Sequence, residues 1–256
     1  MEYWLQRQLN MQNKIANKTE KDINKQLVKY YKSCMVNVLG EFEATYDKLI
    51  ATIESGNDPT PADLYKLDKY WQMQTQLKHE AQKLGDREIA LLSKEFEKEW
   101  IDIYNSVSIP SGESFHTISV PNAKTMINKA WLADGKTFSQ RVWNNIDYLV
   151  ETLNDNLIHC VVTGKQTKEL SELLQHRFKV SYNRANTLIR TEIAHIQTES
   201  AAQRYQEYGL TMYEFLADTD DRTCKGHSKS CHALDGKRFY YSEMQPGVNA
   251  VPMHPG

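Results

Sequence analysis

Ser181–Gly209, SYNRANTLIRTEIAHIQTESAAQRYQEYG, is the stretch on which the fold turns. Ser181 can accept from the backbone of a first turn, Gly209 can end a last one, and between them apolar residues recur at steps of three and four. Leu188 or Ile189, Ile193, Ile196 and Ser200 fall on one face, and the small Ala194, Ala201 and Ala202 allow a neighbour to come close. The spacing predicts a helix from Ser181 to Gly209 packed along most of its length. Within it, Arg190 and Glu192 are two apart and cannot face each other, so each needs a partner elsewhere. Arg190 shares a face with Ala194, Gln197 and Ala201, whereas Glu192 lies near the apolar face, where an unpaired carboxylate would be costly. Arg222 is a natural partner for Glu192, and simple exposure at the edge of the face is the alternative.

Upstream, the chain reads as helices. Ile23, Leu27, Tyr30, Cys34, Val38, Phe42, Tyr46, Leu49 and Ile53 give residues 14–53 a single apolar stripe. Lys14, Lys18, Lys21, Lys25, Lys29 and Lys32 keep the same steps on the opposite side. That lysine stripe fits either a solvated face or a docking surface for a phosphate backbone or an acidic partner. Thr60-Pro61-Ala62-Asp63 is a helix start, with a capping hydroxyl, proline in the first turn and an acid reaching back. Leu64, Leu67 and Trp71, then Ile89, Leu92, Phe96 and Trp100, mark the core face of the helix that follows, with Gly85-Asp86 as a possible bend or break. The two long helices are expected to pair as an antiparallel hairpin. Residues 108–121, SIPSGESFHTISVP, carry two prolines and no helical period. They are read as a linker or crossing loop over 109–121, between a long-helix region at 1–108 and a second region at 122–256.

Helical pattern resumes at Asn122. Thr137 with Gln140 makes another capping box, and Val142, Ile146, Leu149, Leu153 and Leu157 lead to a stop at Gly164. Beyond Gly209 the pattern changes. TMYEFLA and KRFYY alternate as strands do, so residues 210–256 are expected to form a small β region on helices at 122–209. Asp235-Gly236 is a strong signal for the two-residue turn of a hairpin, because glycine supplies the positive φ that such turns need. The fold class is therefore mainly α with a small β region: a long N-terminal helical hairpin, a helical bundle and a C-terminal β-hairpin region.

With 256 residues, 40% apolar and 25% charged, and a formal net charge of -2, the chain can bury a core, and its overall charge singles out neither nucleic acid nor membrane. MEYWLQRQLNMQ lacks the basic start and apolar run of a signal peptide, and no stretch approaches the roughly 20 apolar residues of a spanning helix. Synthesis and folding in a cytoplasm are expected. Four cysteines, at 34, 160, 224 and 231, are too few and too unevenly spaced for a disulfide scaffold. The close group Cys224, His227, Cys231 and His232, with His254 near the end, has donors suited to zinc. Six residues between Cys224 and Cys231 are unusual for one tight turn, so a metal site, bare side chains and a Cys224–Cys231 disulfide all remain open. Asp218, Asp220 and Asp221 could hold a hard cation but also suit a solvated loop. No GxSxG, no HExxH and no phosphate-cradling glycine loop is present, and no catalytic residue is assigned. The rival from the enzyme class is a metal-dependent nuclease using His232 or His254 with those acids; a third reading is sequence-neutral DNA binding.

WLADGKTFSQRVW (131–143), LIRTE (188–192), YEFLADTDDRTC (213–224), CHALDGKRF (231–239) and GVNAVPMHPG (247–256) stand in an order and spacing that resemble the phage Mu F-like minor head proteins, the head morphogenesis proteins of tailed phages. Tyr3-Trp4 with Arg7 resembles the opening of many members. The resemblance implies a structural, non-enzymatic protein in a few copies at the portal vertex or in the capsid interior, assembled in the host cytoplasm. Its partners would be the portal protein and other head proteins, with double-stranded DNA as a further contact. It marks Arg190, Thr191, Glu192, Asp220, Arg222, Asp235 and Gly236 as structural motif residues, and it brings Cys224, Cys231 and His254, with His227 or His232, together as candidate zinc ligands. Two departures stand out. Many members have a two-residue CxxC where six residues separate the cysteines here, and members continue past His-Pro into Cys-Arg, where this chain reaches Gly256. A continuation carrying a further zinc ligand is therefore expected.

Overall fold

A computed structural model describes residues 3–53, 60, 64, 67–108, 120–132, 134–217 and 229–253. It is mainly helical, with one two-stranded antiparallel sheet. The elements are α1 (Tyr3–Ile53), α2 (Asp68–Ser106), α3 (Val120–Ile127), α4 (Phe138–Val162), α5 (Thr167–Glu207), β1 (Met212–Glu214), α6 (Lys229–Leu234) and β2 (Arg238–Tyr240). They divide into two compact units. One holds 1–22, 93–138 and 187–256, and the other 23–92 and 139–186, so α1, α2 and α5 each contribute to both.

In the second unit the apolar stripe of α1 is the core. Ile23, Leu27, Cys34, Val38, Phe42, Tyr46 and Leu49 are buried, and Tyr31 is buried where Tyr30 was expected. Tyr30 lies at the edge of the face, under the guanidinium of Arg87 at 5.9 Å. Asn37 Nδ2 donates to Glu80 Oε2 at 2.7 Å, and Lys48 O accepts from Lys69 Nζ, so α1 and α2 run antiparallel here. Burial on α2 falls on Tyr70, Met73, Leu77 and Leu84, while Trp71 is 50% exposed instead of in the core. Tyr70 and Gln74 both donate to Asn154 Oδ1 of α4, at 2.8 and 2.6 Å, which fixes the register of those helices.

Gly85-Asp86 does not break α2, which runs unbroken through it. The glycine serves packing: a Cβ placed on Gly85 would sit 2.6 Å from the indole of Trp143, so only a hydrogen lets α4 approach there. Ser181 likewise does not open a helix, because α5 begins at Thr167 and passes through it. Ser181 is 1% exposed, and its carbonyl accepts from Asn145 at 3.0 Å. Two glycine stops do hold. Gly164 and Gly209 sit at φ of 63° and 83°, just past the ends of α4 and α5, where residues with a side chain would be strained.

In the first unit α1 meets the residues just past the end of α2, Gln8 Nε2 donating to Ser108 O at 2.7 Å. Ile103, Val107 and Ala201 form a core with Ile15, Tyr205 and Tyr208 around it. Beside them Arg204, 4% exposed, is sandwiched by the rings of Tyr104 (4.9 Å) and Tyr208 (4.4 Å) and donates to the Tyr208 hydroxyl at 2.8 Å. The Tyr104 hydroxyl donates to Glu207. An arginine can be buried there because two ring faces and a carboxylate replace its water.

The β region differs from the expected hairpin. β1 pairs with β2, Met212 opposite Tyr240 and Glu214 opposite Arg238, but Ala233 and Leu234 belong to α6 and not to a strand. Asp235-Gly236 therefore ends a short helix. Gly236 takes φ of 71°, and the turn is tied sideways: Gly236 N donates to Phe215 O and Phe215 N to Lys237 O, both at 2.8 Å. Asp235 Oδ1 accepts from Ala217 N at 2.9 Å.

Candidate functional site

The middle of α5 brings its polar groups inward in the first unit. Glu192, His195 and Glu199 recur at steps of three and four, so they share a face with Ile189, Ile193 and Ile196. Glu192 is 3% exposed, and its Oε2 accepts from the indole Nε1 of Trp131 at 2.9 Å. That indole lies flat on the His195 ring, with centroids 4.1 Å apart and planes 13° apart. Trp131 is presented by the segment after α3, which turns at Asp134-Gly135; Gly135 takes φ of 65° and Lys136 N donates to Asp134 Oδ1.

His195 is 8% exposed, and its Nδ1 has no hydrogen-bond partner among the described residues. Burial, helped by the nearby Lys129 ammonium, pushes its pKa down to about 3, so the ring is neutral across the physiological range. Burial raises Glu199, with Lys129 acting the other way. A neutral, stacked imidazole with a strongly depressed pKa is a poor general acid near neutral pH. The cluster is suited to fastening the 128–136 segment onto α5 rather than to proton transfer.

The sheet lies along the same helix. Tyr213 is pushed up to about 12, first by burial and then by the charges of Glu199 and Glu243, and Tyr241 to about 12 by burial with Tyr205 and Tyr213 beside it. Tyr213 stacks obliquely on Phe239 and Tyr241, at 5.8 and 5.2 Å, and donates to Asn249 O at 3.0 Å. Asn249 then closes its own turn, its Oδ1 accepting from Gln245 N and its Nδ2 donating to Glu243 O. GVNAVPMHPG thus contains one buried amide that holds the last described turn against β1.

Of the structural motif residues, Arg190 is exposed and its Nε meets Glu20 Oε1 at 2.7 Å, a surface pair worth at most about 1 kcal/mol. Thr191 is buried and donates to Thr187 O at 2.8 Å. Glu192 meets Trp131, while Arg222, the partner considered for it, lies outside the described residues, as do Asp218, Asp220 and Asp221. Asp235 and Gly236 bind the β region together as described above. Among the zinc candidates, Cys224, His227 and His254 also lie outside the described residues. Cys231 is buried and His232 exposed, so these neighbours point different ways. Among the described residues no three His, Cys, Asp or Glu side chains are grouped to hold a metal. All six lysines of the stripe are exposed. Lys14, Lys18 and Lys21 belong to the first unit, and Lys25, Lys29 and Lys32 to the second.

Sequence reasoning did not find Lys129, Trp131, His195 or Glu199 as a group. The available signal was the polar run Glu192, His195, Glu199 inside an isoleucine face, and Trp131 is too distant in sequence to be linked with it.

Comparison with known proteins gives the same direction. Residues 151–256 match the phage Mu protein F like family, a span holding the end of α4, all of α5 and the β region. This part of the chain is similar to that family. A stretch of 113 residues is 28% identical to the NAD(+)–arginine ADP-ribosyltransferase EFV of Enterococcus faecalis (strain ATCC 700802 / V583), covering 43% of this chain and 22% of that protein. The chain thus spans about a fifth of that relative. No solved structure matches. Among the described residues no helix is long and apolar enough to cross a membrane.

Proposed function

We infer that the protein is a minor head protein of a tailed phage, acting in head morphogenesis by docking and not by turnover. The match of residues 151–256 to the phage Mu F-like family carries this reading. The site geometry supports it: the inward polar groups of α5 are used to fasten Trp131 and the β region, which suits a rigid assembly module. The location that follows is the virion, at the portal vertex or in the capsid interior, and the partners are other head proteins, the portal protein foremost.

The lysine stripe is the contact we assign to a negatively charged partner, packaged DNA or an acidic portal surface. Six lysines of α1 at steps of three and four are exposed, Lys14, Lys18 and Lys21 in the first unit and Lys25, Lys29 and Lys32 in the second. Reversing the charge of Lys18, Lys25 and Lys29 together is expected to weaken binding of the purified chain to duplex DNA or to portal protein at least tenfold. A DNA contact should also lose affinity steeply with salt, a portal contact less so. Unchanged binding to both would remove the stripe from the account. A zinc ion held by Cys224, Cys231 and His254, with His227 or His232, stays a proposal from the resemblance; elemental analysis of the purified chain tests it.

A further inference from the structure

The second unit contains a polar junction to which each of its four long helices gives one residue: Tyr31 from α1, Glu88 from α2, Asn145 from α4 and Ser181 from α5. Asn145 Nδ2 donates to the Tyr31 hydroxyl at 3.1 Å and to Ser181 O at 3.0 Å. The hydroxyls of Tyr31 and Ser181 lie 3.4 Å apart. Tyr31 is further wedged by Tyr182, edge to face at 5.5 Å. Glu88 is fully buried beside this group, and the Tyr31 hydroxyl is the one polar side chain that bears on its carboxyl; among the described residues neither carboxyl oxygen has a hydrogen bond of ordinary geometry, and Asn145 Oδ1 lacks a partner too. The neighbouring cations are engaged elsewhere. Arg87 of α2 lies over Tyr30, and Arg184 of α5 covers the Tyr148 ring at 3.7 Å. Lys83 of α2 pairs with Glu80 at 2.8 Å. On α1 the titratable groups facing the junction are Tyr31 and, through it, Cys34; α5 adds Tyr182, whose ring meets that of Tyr31, beside the neutral Ser181, and α4 gives the neutral Asn145.

A buried carboxylate with one tyrosine hydroxyl for company and no cation bearing on it is costly in a helical core. We propose that Glu88 is a proton-held latch: the four helices seat fully while its carboxyl is neutral, and losing that proton loosens the junction. Burial pushes the Glu88 pKa up to about 7, from an ordinary value of 4.5, with the Tyr31 hydroxyl acting the other way. Because the folded value is the higher one, the stability contributed by this carboxyl is complete below pH 4.5 and is lost as pH rises to about 7, after which nothing more is lost. The latch is therefore half released near neutrality.

Glu88→Gln, which copies the neutral form, provides the test. The difference in folding equilibrium between this variant and the unaltered chain should grow from pH 4.5 to 7, by on the order of a hundredfold, and then level off. Taking the difference cancels the other titrating groups. Amide exchange, corrected for intrinsic rates, should show residues around 31, 88, 145 and 181 losing protection above pH 7 in the unaltered chain and keeping it in the variant. Should Glu88→Gln fail to fold, carboxyl carbon NMR of the unaltered chain reads the titration directly, and Tyr31→Phe should move it upward. A Glu88 titrating near 4.5, or identical pH profiles for the two proteins, would overturn the proposal. So would recovery of stability above pH 7 by sodium or potassium but not by choline, because a cation and not a proton would then neutralise the carboxyl.

Discussion

A methyl group at position 85 has nowhere to go. The Trp143 ring occupies the space at 2.6 Å, and the ring is a rigid wall rather than the end of a flexible chain. Gly85→Ala gains about 1 kcal/mol of helix propensity on the exposed-helix scale, but forcing an extra carbon into a packed contact costs about 1 to 3 kcal/mol. We expect a net loss, read as a lower thermal midpoint, and a midpoint raised by the full propensity gain would show that α2 and α4 are not in close contact. The same logic of unseen neighbours governs the buried acids. Glu88 and Glu99 are both fully buried, with burial pushing Glu99 up to about 9, the nearby Asp102 charge adding to it. In the sequence each looks like one more charge on a helix rich in them, and only the packing shows that it points inward.

At the scale of elements, periodicity was a good guide wherever burial alone decides the pattern. The stripe on α1 and the isoleucine face of α5 are buried nearly as spaced, since a helix that packs along its length must repeat its apolar residues. Punctuation was a weaker guide. Gly85 and Ser181 are residues that can end or open a helix, but here each is used for a close approach or a cross-helix hydrogen bond, and tertiary packing overrides the local signal. Asp235-Gly236 was readable as a turn but not as the end of α6, because Gly236 at positive φ fits both a helix stop and a hairpin. The distant pairing of β1 with β2 leaves no mark at the turn itself. Gly236→Ala should cost about 1 to 2 kcal/mol, as a side chain in the left-handed region does. The loss should appear locally, as faster amide exchange at 212–217 and 237–240 with the second unit unchanged. Uniform loosening of both units would contradict the local role given to this turn.

For the molecule as a whole, the functional reading rests on its C-terminal part. The resemblance was legible because its blocks are short, ordered and rich in residues with structural duties: Trp131 stacks on His195, Glu192 receives the Trp131 proton donor, Asp235 anchors Ala217 and Asn249 closes its turn. Each of these duties is structural. The physical partner of Trp131 was hidden because stacking across 64 positions leaves no periodic trace. The direct test of a head protein is where it ends up. Quantitative mass spectrometry of heads purified from the phage encoding this chain should find its peptides in a small number of copies per particle, in fixed proportion to the portal protein. Abundant protein in infected cells together with its absence from purified heads would contradict the assignment.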